Sequence, residues 1–155
     1  MNDSLLSLLA SLGIYGGSFV VAFIAGLFPV ISIEVFLVVM SAKVAPGIGA
    51  LTVCCVLATV GHQIAKTMTY YAGVGALERG RLKAKLDKVR PRIERWNKAP
   101  HLILALAGAT GIPPLYVLGF IAEPLMRIRI VPFTAIVLVT RFGRFVVLAV
   151  IPLLV

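Results

Sequence analysis

Two arginines stand where an apolar run would normally exclude charge. Arg141 and Arg144 interrupt the last hydrophobic stretch, IVPFTAIVLVTRFGRFVVLAVIPLLV, residues 130–155. A charge at the bilayer centre costs at least ~2.5–3.5 kcal/mol on insertion scales, so such residues persist where they are paired or used. Three positions apart, both guanidiniums project from one helical face. A guanidinium offers a planar fork that matches carboxylate and phosphate, so this pair suits either a buried acid or a bound anion. Glu34, in FPVISIE, is the one charge between residues 4 and 42. It reads as a carboxylate facing a cavity, as an interfacial acid, or as partner to an arginine. Glu123, directly before Pro124, is a second acid that pairs with an arginine or caps a helix exit. Lys66 follows an apolar run and His62, and it reads as an interfacial lysine or as part of the same site. His62 reads as a packed polar residue more than as a proton carrier.

The elements that position these residues are those of a membrane protein. Of 155 residues, 60% are hydrophobic and 14% charged, against about 25% charged in soluble domains. Residues 4–47 form one apolar region broken at Phe28-Pro29, because proline cannot donate a backbone hydrogen bond and disfavours helix at the residue before it. Ser4–Leu12 is expected as a short interfacial helix, Ser18–Leu27 as a descending half-helix and Ile31–Ser41 as an ascending one. Residues 48–75 are long and apolar enough to span, since a span takes about 20 residues. Residues 100–126 form a second broken region, with Pro113 and Pro114 at the break, and 130–155 a second span.

Between the halves lies a basic linker, residues 76–99. It holds nine of the fifteen Lys and Arg residues. Leu82, Leu86, Val89, Ile93 and Trp96 recur at helical spacing, which predicts an amphipathic segment on the membrane surface. A short basic loop also marks the cytoplasmic side. The net charge of +9 is thereby accounted for by membrane placement, and no nucleic-acid-binding motif accompanies it. The N-terminus lacks a basic leader region, so the first apolar segment is expected to direct insertion. Cys54 and Cys55 are neighbours in an apolar run and read as packing residues. No catalytic set, metal-ligand spacing or cofactor loop is present, so the expectation is a non-enzyme without metal or cofactor.

The two halves repeat. Ala25-Gly26, Pro29 and Pro46 match Ala107-Gly108, Pro113 and Pro132, at offsets of 82, 84 and 86 residues. A broken hairpin plus one span enters the membrane from opposite faces in successive copies. The expected fold is therefore an all-α integral membrane protein, a single membrane domain over 1–155. Its two opposed re-entrant helical hairpins and transmembrane helices form an inverted repeat, a transporter plan with the site between the hairpins.

Four stretches resemble the DedA family, also called the SNARE-associated or VTT-domain superfamily. They are FPVISIE; AKTMTYYAG, which looks like the family's Gly-Asp-x-x-x-Tyr-x-x-Gly; RWNKAPHLILALAGATGIPPLYVLGFIAEPLMRIRIVPF; and RFGRF. The resemblance implies opposed re-entrant hairpins and lipid movement across the bilayer, with Glu34 at the acidic position of the first hairpin. Arg141 and Arg144 fall loosely on the basic positions of the second half. Lys66 stands where the family has aspartate, and Glu123 where it commonly has glycine. The expected function is flippase-like or scramblase-like transport of an anionic lipid, a polyprenyl phosphate or phospholipid, with proton coupling through Glu34. The expected location is the bacterial inner membrane. The partners are membrane lipids and anionic headgroups, with homo-oligomerisation left open. A non-transporting scaffold or assembly factor and a small ion or drug exporter are the alternatives.

Overall fold

Helix formers and helix breakers alternate along this chain, and the backbone follows them. The computed structural model describes residues 2–28 (side chains from 13), 31–44, 47–76, 84, 87–88, 90–91, 93–94 and 98–154. Pro29, Pro46, Leu82, Leu86, Val89 and Trp96, singled out above, lie outside the described residues. Among the described residues six helices have assigned bounds, in order α1 (Asn2–Leu27), α2 (Ile33–Val44), α3 (Ile48–Ala76), α4 (Pro100–Thr110), α5 (Leu115–Ile121) and α6 (Ile130–Leu154). No strand occurs among the described residues.

The breaks have local causes. α1 departs from helical geometry at Gly13, with φ 69° and ψ 170°, a left-handed φ that glycine adopts without a Cβ penalty. Gly16 and Gly17 remain helical. α1 is thus two helical segments that meet at Gly13, as the expected pair Ser4–Leu12 and Ser18–Leu27 requires, with the second beginning earlier than Ser18. α4 ends on Gly111, also left-handed at φ 85°, whose N–H donates to the Ala107 carbonyl. Pro113 and Pro114 then bar a further turn, and α5 starts directly after them. The chain leaves α5 through a turn at 122–126, in which the Ile128 N–H donates to the Ala122 carbonyl at 2.9 Å.

Two of the helices are long and apolar enough to cross a membrane: Ile48–Gly75, of 28 residues, and Ile130–Pro152, of 23. At 1.5 Å per residue they reach roughly 42 and 35 Å, against a hydrocarbon core of about 30 Å. Only 22% of the apolar window in α6 is buried within the protein. Val131, Val139 and Val147 are at least 60% exposed. A core helix of a soluble protein would hide such a face, whereas lipid covers it at no cost.

The chain divides into two compact units, Met1–Ala65 with Arg141–Val155, and Lys66–Thr140. The first takes α1, α2, the start of α3 and the end of α6. Leu37, Met40, Cys54, Cys55, Phe145 and Ala149 are buried together in its core, and the Ser41 hydroxyl donates to the Ala149 carbonyl at 2.7 Å, tying α2 to α6. α1 meets α3 closely here: a Cβ on Gly26 would come within 2.5 Å of the Ala65 Cβ.

The second unit takes the rest of α3, α4, α5 and the start of α6. Tyr70, Leu104, Leu118, Ile128, Phe133 and Val137 form its core, and the Tyr70 hydroxyl donates to the Ile128 carbonyl at 2.9 Å. Ile93, from the linker, is buried in this core. The apolar face of the linker was expected on the membrane surface, yet at Ile93 it packs on protein. A hydrophobe gains as much from protein as from lipid, and periodicity alone does not say which covers it.

Candidate functional site

The residues that sequence reasoning paired come together in the first unit. α2 begins at Ile33, and Ser32 precedes it as a helix start: its hydroxyl oxygen accepts from the Val35 N–H at 3.3 Å. Glu34 therefore sits in the first turn of α2, where the positive end of the helix dipole favours a carboxylate. The same Ser32 hydroxyl donates to Glu34 Oε2 at 3.1 Å. Glu34 Oε1 faces α6 and accepts from Arg141 Nη1 at 3.2 Å. Arg144 Nε lies 3.3 Å from that same oxygen.

One carboxylate oxygen thus bridges two guanidiniums while the other is held by a serine. Arg141 lies eleven residues past Ile130, the start of α6, or about 16 Å along it, close to the middle of the membrane-length segment. Its side chain is 8% exposed, that of Arg144 24% and that of Glu34 27%. The cluster is therefore closed on the Arg141 side and open on the side of Glu34 and Arg144.

Two guanidiniums of α6 thus share one carboxylate oxygen of α2 partway along the helix. Each guanidinium has five N–H donors in a rigid fork. A phosphate presents oxygens to such a fork as a carboxylate does. Chemically the arrangement can latch α2 to α6, or exchange its internal carboxylate for an external anion.

The other sequence candidates lie elsewhere. Lys66 belongs to the second unit and is 3% exposed. It does not extend to a solvent-facing surface, as an interfacial lysine would. Glu123 is half-buried in the turn that follows α5, and its carbonyl accepts from the Arg127 N–H at 3.1 Å. This is the helix-exit position expected of it, and the arginines of α6 are paired with Glu34 instead. His62 is buried in the first unit, its ring edge-on to Phe145 with centroids 5.9 Å apart. Pro113 and Pro114 form the α4–α5 break; Pro29 is outside the described residues.

Sequence reasoning missed Ser32 and Ser41. Ser32 was legible in principle, because serine immediately before an apolar helical run is a helix-start signal. Ser41 was not, since its acceptor is a backbone carbonyl 108 residues away. No family model, no curated protein and no solved structure matches this chain.

Proposed function

We propose that this protein is a helical membrane protein that moves an anionic lipid across the bilayer, with Glu34, Arg141 and Arg144 as the group that handles the lipid phosphate. One observation carries this reading. Two guanidiniums of α6 and the carboxylate of α2 meet halfway along a membrane-length helix, in forks that match a phosphate as well as a carboxylate. The four stretches that resemble the DedA family support lipid movement as the activity.

On this reading α1–α2 and α4–α5 are re-entrant hairpins and the chain is an inverted repeat. α2 has 12 residues, α4 has 11 and α5 has 7, and the part of α1 beyond its break, Gly13–Leu27, is likewise shorter than the ~20 residues a span takes. α2 and α5 start at Ile33 and Leu115, and α3 and α6 at Ile48 and Ile130, an offset of 82 in both pairs (115 − 33 and 130 − 48). That is the offset of Ala25-Gly26 from Ala107-Gly108. The basic linker after α3 and the exposed Arg127 and Arg129 before α6 mark the cytoplasmic side by the positive-inside rule, of a bacterial inner membrane.

Liposomes with a fluorescent anionic phospholipid or polyprenyl phosphate test the function. The expected outcome is rapid loss of signal from the outer leaflet with the wild type, slowed by Glu34→Gln and by Arg144→Ala in folded protein. Loss no faster than in empty liposomes, for several anionic lipids and with a pH gradient applied, would overturn lipid transport. The mutual closure of Glu34 with both arginines favours a second reading, a non-transporting scaffold in which the cluster is a structural latch. It expects Glu34→Gln to lower thermal stability with no lipid movement in any variant.

A further inference from the structure

The first unit contains a cavity of about 260 Å³ on the flank of α3 and α6. Its walls include Ile48, Leu51 and Thr52 of α3 and Val146, Ala149 and Val150 of α6. The Thr52 hydroxyl, a wall hydroxyl, donates to the Ile48 carbonyl of its own helix at 2.9 Å, so it asks nothing of an occupant. Cys55 also lines it, a thiol that is only a weak donor and acceptor; so apolar a cavity holds water poorly, and its lining recovers lost dispersion contacts against hydrocarbon.

The cavity also has a direction. Ile48 is 76% exposed, whereas Leu51 is 3% and Ala149 0% exposed, so a lip at the start of α3 leads to a buried floor. If the roughly 42 Å of α3 is centred on a hydrocarbon core of about 30 Å, the first four or so residues lie among the headgroups. The lip is then at headgroup level and the floor in hydrocarbon. The last turn of α2 lies beside the groove, because Ser41 bonds to Ala149 on its floor. Two residues further on, Lys43 is exposed in the last turn of α2. Between Val35 and Ala65 it is the one residue with a formal charge.

We infer that this groove is a binding site for one acyl chain of an anionic phospholipid whose headgroup is held at the level of Lys43. The occupant follows from an apolar slot opening at the headgroups beside a cation with no acid near it in sequence. This goes beyond lipid transport: it rests on α3 and α6 lying in a bilayer and holds whether or not the protein moves lipid.

The test uses the full chain in liposomes with trace phosphatidylglycerol carrying a photoactivatable group on one acyl chain. Adducts are mapped by peptide mass spectrometry. Labelling is expected to concentrate on Ile48, Leu51, Thr52, Val146 and Val150. It is expected to be lost from those positions when the groove is filled from either wall, by Val146→Trp or independently by Thr52→Phe. Both variants are checked by thermal melting, and two opposite walls keep one misfolded variant from deciding the matter. Phosphatidylcholine with the same chain should label the groove less, and Lys43→Glu should abolish that difference. Labelling spread evenly over Val53, Val60, Ile64, Val139 and Val147, as an ordinary lipid annulus would give, overturns the site. Equal groove labelling by both lipids overturns the assignment to Lys43. Groove labelling in a protein that moves no lipid supports the site while removing the transport reading.

Discussion

At the scale of single residues three charges, Glu34, Arg141 and Arg144, meet at one carboxylate oxygen. Removing Glu34 leaves two guanidiniums facing each other with no acid between them, and breaking a buried pair this way costs about 3–5 kcal/mol. The cost falls toward the lower end because the Glu34 side chain is 27% exposed. Glu34→Ala is therefore expected to lower the melting temperature more than Arg144→Ala, which leaves one acid facing one cation. Thermal melts of both in the same detergent check the order, and equal shifts would mean that repulsion between the arginines is negligible. Replacing all three together by Gln, Met and Met is expected to be near neutral in stability, since apolar replacements of buried ion groups often are, while abolishing any phosphate-dependent activity. The charges themselves were legible in the sequence because a buried arginine is conspicuous in an apolar run. The pairing was legible only as a choice between Glu34 and Glu123, because spacing along the chain does not report distance between elements. The burial of Lys66 was not legible, since a lysine near a helix end can extend outward or fold in with the same local sequence.

At the scale of elements, proline and glycine set most boundaries and close packing sets the rest. α3, α5 and α6 start where the apolar runs restart, at Ile48, Leu115 and Ile130. The break between the two helical segments of α1 was blurred over three glycines because each permits it, and it falls at Gly13. Gly73 of α3 has a different role. A Cβ there would run into the backbone of Phe120 in α5, and backbone cannot move aside as a flexible side chain can. Gly73→Val is expected to destabilise by about 1–3 kcal/mol through overpacking, whereas Gly75→Ala, facing open space, should be neutral or slightly stabilising. Urea or thermal unfolding in detergent measures the contrast, and two equal effects would remove the close approach as the cause. A sequence shows where small residues lie, but not which of them another backbone touches.

At the scale of the whole molecule, the charge distribution gives the orientation its clearest test. A cysteine at exposed Lys98 is expected to react with a membrane-impermeant maleimide only after the membrane is opened, in intact cells whose periplasm is accessible. Cys54 and Cys55 are buried and should stay silent. Labelling of Lys98→Cys in intact cells would invert the assigned topology. The division into two units has a consequence for how the chain is made. The first unit is closed by residues 141–155, which are synthesised long after α1 and α2. Glu34 and Arg141 are separated by 107 positions, which at about 5–20 residues per second means a wait of roughly 5–20 s. For that interval the nascent α2 holds a carboxylate whose cations have not yet been added to the chain. The insertion machinery must therefore shelter an incomplete half until the final helix arrives, and translational pausing within residues 100–140 would lengthen that exposure.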